Sequence, residues 1–237
     1  TSNEKGALTV HIGSNDEIFA NQDSRDLFAY IGYSDKCTST ETITNIDLLN
    51  VTCVTNMHGM FIGTGHNAMT KLDLGNKFNT SNVTDMTSMF ALVGYNSMTV
   101  LNLGNNFDTS KVTNMKQMFD DTGHMEMTSL NLGDKFDTSS VTNMNGMFLL
   151  CGGVKMTNLN LGDKFDTSNV TNMSQMFSST GYNAMTSLNL GNKFNTSKVT
   201  DMGNMFSSTG KYAMTSLKLG DKFDTSSVTN MRLMFAK

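Results

Sequence analysis

The apolar positions of this chain recur with a fixed period of 29 residues. Each period carries Thr followed by Asn or Asp, then Met, two variable positions and a Met-Phe pair. The first Met of this motif falls at Met57, Met86, Met115, Met144, Met173, Met202 and Met231. No insertion disturbs the interval, and self-similarity at a fixed period is typical of repeat architectures. The pattern therefore predicts a solenoid in which each unit packs only on its neighbours.

Within a unit, the polar and apolar positions predict short strands and one tight turn. Leu188–Leu190 alternates with period two, as a half-buried strand does, and Gly191 ends it at a turn. Val199–Met202 alternates in the same way, whereas Met202–Phe206 has the spacing of one helical or 3₁₀ turn. We expect a β-rich solenoid, a leucine-rich-repeat-like right-handed superhelix of 29-residue coils. Each coil would have one or two short strands and a short helical turn.

The two ends differ from the middle. Residues 1–42 do not fit the repeat, and a strand over Ala7–Ile12 with a candidate helix over Asp23–Ile31 predicts an N-terminal cap. Residues 43–237 predict a solenoid of seven motif-bearing coils, the first one shortened. A polar cap, which solenoids need at their ends, is absent after Phe235. We therefore expect either that the chain is part of a longer surface protein or that a partner covers this end.

Composition narrows the functional class. Charged residues make up 16% of the chain and the formal net charge is −4, which argues against nucleic acid as a partner and against a polybasic membrane anchor. No stretch approaches ~18 consecutive apolar residues, so no membrane insertion is expected. The 21 Met follow from the repeat itself. Met is unbranched and adaptable, which suits a core whose layers repeat imperfectly.

The unit resembles one known from bacterial surface proteins. Leu159–Leu161, followed by Phe-Asp-Thr-Ser-Asn-Val-Thr-Asn-Met-Ser-Gln-Met-Phe over Phe165–Phe177, is similar to the BspA-like leucine-rich-repeat surface proteins. It is more similar still to a repeat of unknown function in mycoplasma and Gram-positive surface proteins. The resemblance covers about residues 43–237. It implies a leucine-rich-repeat-like solenoid on the cell surface, a use in adhesion and no catalytic residue.

The residue pattern predicts neither an enzyme nor a cofactor or metal site. There is no nucleophile elbow, phosphate loop or catalytic carboxylate pair in a non-repeating context. The four His lack the spacing of metal ligands. The Asp and Asn column that includes Asp108 and Asp137 lacks the glycine-rich calcium motif. We expect these side chains to bond the backbone of their own turn.

The cysteines leave one question open. Cys37 and Cys53 both fall where the predicted cap meets the repeat. An extracellular protein would join them in a disulfide, whereas a reducing compartment would keep two free thiols. Cys151 is expected to be a small core residue.

The candidate binding residues are outward positions that vary between units. One column follows the late glycine of each unit and is rich in rings, which serve as contact anchors. Two further columns lie on the Leu-x-Leu strand, the usual binding face of a leucine-rich repeat. The ring column supplies His66, Tyr95, His124 and Tyr182, with Tyr212 adjacent to it. Of the strand columns, one supplies Lys71 and the other supplies Asn102, Asn131, Asn160 and Asn189.

These features predict an extracellular cell-surface module for adhesion. It would recognise a host or matrix protein or glycan through an extended solenoid face. One alternative is a structural spacer, or stalk, that projects another domain. Another is an ice-binding protein that uses ladders of Thr, although the Lys and Asp columns beside them would spoil a flat hydroxyl face.

Overall fold

The computed structural model describes residues 9–14, 16–34 and 42–237. They form a β-solenoid in which parallel strands pair from one coil to the next, as the 29-residue period predicts. A 3₁₀ helix at Ile46–Leu48 is the one helix in this part of the chain. The strands are β1 (Thr9–His11), β2 (Ile18–Phe19), β3 (Thr42–Thr44), β4 (Leu49–Asn50), β5 (Lys71–Asp73), β6 (Val100–Asn102), β7 (Ser129–Asn131), β8 (Asn158–Asn160), β9 (Ser187–Asn189) and β10 (Ser216–Lys218).

The Leu-x-Leu strands pair two by two. β5 pairs with β6, β7 with β8 and β9 with β10, always in parallel. Across the described residues these pairs form separate two-stranded sheets, so no ladder joins β6 to β7 or β8 to β9. This differs from the leucine-rich-repeat-like expectation of one binding sheet, because the strand face is interrupted at two places. The central Leu of β5 to β9 points inward and is buried, whereas Leu217 of β10 is only partly buried.

A second line of pairing runs without interruption. At one Asn or Asp per coil, the backbone forms a single parallel bridge to the next coil. The predicted second strand over Val199–Met202 is reduced to this one bridge, at Asp201. We call this line the spine; it runs through Asp23, Asn56, Asp85, Asn114, Asn143, Asn172, Asp201 and Asn230.

The segment predicted as a short helical turn is a run of consecutive turns. Met205 N donates to the Met202 carbonyl at 3.1 Å, and Thr209 N donates to the Phe206 carbonyl at 3.2 Å. The third residue of each turn is left-handed, with φ of 56° at Asn204 and 57° at Ser208. A right-handed helix has no place for such residues. Type II turns require them, which explains why the chain turns here without forming a helix.

The first described residues follow the same path. The candidate helix over Asp23–Ile31 is wrong, because this segment is a run of turns with φ of 55° at Asp26 and 57° at Tyr30. Its backbone runs parallel to the next coil, and Phe28 N donates to the Met60 carbonyl at 2.8 Å. The candidate strand over Ala7–Ile12 is present as β1, although Ala7 lies outside the described residues.

The core is built from columns of identical side chains. The Met columns are buried except at the last coil, where Met214 is partly buried and Met231 is exposed, and stacked Phe rings run beside them. Neighbouring rings are 5.3–5.6 Å apart between centroids and within 11° of parallel. We call this column the Phe stack; it comprises Phe28, Phe61, Phe90, Phe119, Phe148, Phe177, Phe206 and Phe235. Burying one such side chain contributes about 1.5–3 kcal/mol, so the stack stabilises every coil interface it crosses.

A buried Thr column ties consecutive coils together. Its members are fully buried, and each hydroxyl donates to a main-chain carbonyl of the next coil. Thr138 Oγ1, for example, donates to the Asp166 carbonyl at 2.8 Å. The Thr column therefore joins each coil to the next by a side-chain hydrogen bond. The equivalent donors are Thr80, Thr109, Thr167 and Thr196.

We expect Thr138→Val to lower the free energy of unfolding by about 1–3 kcal/mol, because it leaves a buried carbonyl without its donor. Thr142→Val is the matched control, since Thr142 is exposed and its hydroxyl donates to the Thr113 carbonyl at 3.2 Å. Thermal and urea unfolding of both variants measure the difference. Equal losses would contradict a special role for the buried column.

Candidate functional site

The ring column forms a stack in its first half. His66 and Tyr95 lie 4.9 Å apart between centroids and 2° from parallel, and Tyr95 and His124 lie 4.8 Å apart at 10°. Tyr33 covers the other side of His66 at 4.5 Å. All three predicted binding residues are half-buried. The structure thus brings them together, but their faces cover one another and only their edges meet solvent.

The second half of the column is more open. Gly153 interrupts the rings, and a Cβ there would lie 2.7 Å from His124 Cε1. Beyond it, Tyr182 meets Tyr212 edge-on at 5.2 Å. Lys211 Nζ lies 5.4 Å from the Tyr182 centroid, and its hydrogen bond lowers the pKa of Tyr182. Tyr212 is 71% exposed, which makes it the most accessible ring of the column.

The two strand columns lie at the surface, as predicted, and the Asn column also has a structural role. The Oδ1 atoms of Asn102, Asn131, Asn160 and Asn189 each accept the backbone N–H of the glycine two residues later, at 3.1–3.2 Å. These bonds are Asx turns, which end each strand. Lys71 is held by Asp73, with 2.8 Å between Nζ and Oδ2.

In the Asn column, some side-chain Nδ2 atoms are hydrogen-bonded across paired strands and others are not. Asn102 Nδ2 donates to Asp73 Oδ1 at 2.9 Å, and Asn160 Nδ2 donates to Asn131 Oδ1 at 3.3 Å. Both bonds cross between paired strands. Asn131 and Asn189 instead face the interruptions of the sheet, and the described part of the chain offers no hydrogen-bond acceptor to their Nδ2 atoms. These two amides keep a donor for another molecule.

Two depressions open where the strands are not paired. The first, of about 630 Å³, lies between β6 and β7, and the second consists of two adjoining hollows of about 340 Å³ each between β8 and β9. Both are lined by residues of the strands, Asn among them, and by residues of the loop that follows each strand. Each residue lining the first depression has its counterpart two repeats later in the second, as Asn131 has in Asn189 and Lys135 in Lys193. The sequence did not predict the two depressions, because all the coils carry the same strand pattern.

A carboxylate pair interrupts the repeat pattern in one coil. Asp121 Oδ1 lies 2.7 Å from His124 Nδ1, and Gln117 Nε2 donates to Asp120 Oδ2 at 3.0 Å. Burial, together with the charge of Asp121, raises the pKa of Asp120 to about 6. Cys151, in the next coil, is fully buried, and this burial raises its thiol pKa. A buried thiol of high pKa is inert, so Cys151 is a core residue, as expected.

The remaining predictions from the sequence concern the Asp column, metal ions, a disulfide and the membrane. The Asp column bonds its own turns, as when Asp137 Oδ1 accepts the Ser139 N–H at 2.9 Å. Among the described residues, no group of three or more His, Cys, Asp or Glu is placed to hold a metal ion. Cys53 is exposed, but Cys37 lies outside the described residues, so their disulfide stays a prediction. No helix within the described ranges is long and apolar enough to cross a membrane.

The stacked coils, the spine and the interrupted strand face define a repeat protein of the β-solenoid class. The chain belongs to the family described as "Mycoplasma protein of unknown function, DUF285", whose sequence profile matches residues 32–148, 93–188 and 181–237. This match confirms the predicted resemblance to a mycoplasma repeat. No curated protein and no solved structure matches the chain.

Proposed function

We propose that this solenoid is an extracellular, cell-surface module for adhesion, comparable in role to the BspA-like surface proteins. It recognises a host or matrix protein or glycan through the face formed by β5 to β10. The observation that supports this face is the pair of depressions lined by exposed amides. The ring column is a weaker candidate, because its stacked half presents only ring edges.

A binding screen with charge-matched variants tests this proposal. Ser129→Lys and Ser187→Lys place long side chains on the strand face, where Lys71 shows that a lysine is accommodated. We expect this double variant to lose at least about tenfold in affinity for any matrix protein or glycan that the wild type retains, since bulk at the centre of an interface is costly.

The control adds the same charge elsewhere. Ser140→Lys and Ser227→Lys alter a column that already contains Lys111 and lies outside both depressions. This control should bind as the wild type does. Binding that survives on the strand-face variant, or a folded wild type that binds nothing in a broad panel, would contradict the proposed face or the proposed function respectively.

A spacer is the second candidate, and the spine favours it. One parallel bridge per coil joins every described coil from Asp23 to Asn230, which suits a rod that projects another domain. Adhesion by the whole protein that survives removal of several coils would identify a spacer. The ice-binding alternative lacks such support, because the exposed Thr hydroxyls donate to the preceding coil, as Thr142 does to Thr113.

A further inference from the structure

The two depressions of the strand face are equivalent by sequence and by position. The first is lined by Val100–Asn105, Phe107 and Asn131–Lys135, and the second by the residues two repeats later. We propose that they are paired subsites for a single uncharged, linear β-1,4-linked polysaccharide that lies along the stack of coils. This inference rests on the proposed function and specifies its ligand and its site.

The spacing of the subsites points to such a chain. Paired strands lie about 4.8 Å apart and the Phe stack repeats at 5.3–5.6 Å per coil, so subsites two coils apart are separated by about 10–11 Å. A β-1,4-linked pyranose chain advances by about one coil for each sugar and turns over at each linkage. It therefore presents the same groups to the protein at every second sugar, which is the period of the depressions.

The polar groups of the subsites suit hydroxyl groups. Asn131 and Asn189 each keep an Nδ2 donor and line a depression together with other residues of the paired strands. Amides both donate and accept, as sugar hydroxyls do. The charges balance in each site, with Lys135 beside Asp134 in the first and Lys193 near Asp163 in the second. Balanced charge favours a neutral ligand over a sulfated or carboxylated one.

A peptide fits this face less well. An extended strand repeats every two residues, about 6.6 Å, which does not match the distance between subsites. A polyproline II helix has a closer pitch of about 9.3 Å, but it docks on exposed aromatic rings. The rings lining these depressions, Phe107 and Phe165, are each only 2% exposed. The observations thus favour the polysaccharide.

Calorimetry with oligosaccharides of defined length tests the proposal. The probes are cello- and chito-oligosaccharides of two to eight sugars, with malto-oligosaccharides as the α-linked control. We expect affinity to rise about tenfold or more between the disaccharide and the hexasaccharide, because the longer chain reaches both subsites. The α-linked series should bind weakly at every length.

Two conservative variants locate the site. Asn131→Asp and Asn189→Asp remove the amide donor but keep the acceptor of the Asx turn, a role that Asp73 already fills for Gly75 at 3.0 Å. Each should weaken hexasaccharide binding about fivefold and remove the gain with length. Ser140→Asp adds the same charge outside both depressions and should bind as the wild type does. Circular dichroism verifies the fold of each variant.

Several results would overturn the proposal. Oligosaccharide binding unaffected by both Asn variants would place the site elsewhere, and equal binding of the α-linked series would reject the ligand class. A proline-rich peptide that depends on both Asn residues would assign the depressions to a peptide. Retention of a matrix protein without any oligosaccharide binding would reject this inference but keep the proposed function. A folded protein that binds none of these ligands would reject both.

Discussion

Replacing Phe148 by Ala is expected to lower the free energy of unfolding by about 3–5 kcal/mol, the range for a buried Phe. Phe148 is fully buried at the middle of the Phe stack. Its ring lies 5.5 Å from Phe119 on one side and 5.5 Å from Phe177 on the other. Removing it opens a cavity that neither neighbour can fill, because the backbone of each coil is pinned by the spine.

The Phe stack supplies its own control. Phe235 stacks on Phe206 at 5.5 Å but is 54% exposed, so Phe235→Ala removes the same atoms with little loss of burial. We expect it to cost about 1 kcal/mol, in proportion to the smaller apolar area that it removes from water. Chemical unfolding measures both variants. Similar losses for the two would show that the stack does not stabilise the coils through buried contact.

The second large effect depends on pH. Asp120 has a folded pKa of about 6, above its ordinary value of 3.8, because burial and Asp121 disfavour its charged form. The folded state therefore holds a proton that the unfolded chain releases, and stability falls as the pH rises from about 4 to 6. Asp120→Ala, which copies Ala91 of the preceding coil, removes this penalty. A shift of this size is worth at most about 3 kcal/mol.

We expect the variant to gain about 1–2 kcal/mol at pH 7.5, because solvent screens a partly exposed carboxylate. At pH 4 the variant and the wild type should differ little. Asp166→Ala is the control, and its effect on the stability near neutral pH should have the opposite sign. Burial would raise the pKa of Asp166, but hydrogen bonds from Ser168 outweigh it and lower the pKa overall. Its loss should destabilise the protein near neutral pH and matter less in acid, and unfolding curves across this range compare the two.

The solenoid and its core were predictable from the sequence because of the period. A side chain that recurs every 29 residues, such as Met144, meets its own copy in the next coil, so burial of one implies burial of its copies inside the stack. The turns were not predictable, because Asn204 and Ser208 give no sign of a left-handed backbone. The available signal for a left-handed backbone was Gly59 and Gly146, which occupy the repeat position of Asn204 in other coils.

The candidate site was predictable only in part. The exposure of the Asn column followed from strand alternation, since every second residue of Ser129–Asn131 faces outward. The packing of His66 on Tyr95 depends on ring orientation, which spacing alone does not determine. The depressions depend on which strands pair, and the repeat pattern treats all pairs alike. The raised pKa of Asp120 was not predictable, because it depends first on how deeply the folded chain buries this carboxylate.

The contrast between the spine and the strand face has a mechanical consequence. Along the spine, every described coil is joined to the next by a backbone bridge, whereas the strand side is joined only in pairs. A stack held continuously along one edge and jointed along the other bends most easily about the continuous edge. Under load, we expect the two joints beside Asn131 and Asn189 to widen first, so that the molecule responds as a row of two-coil segments rather than as a uniform spring.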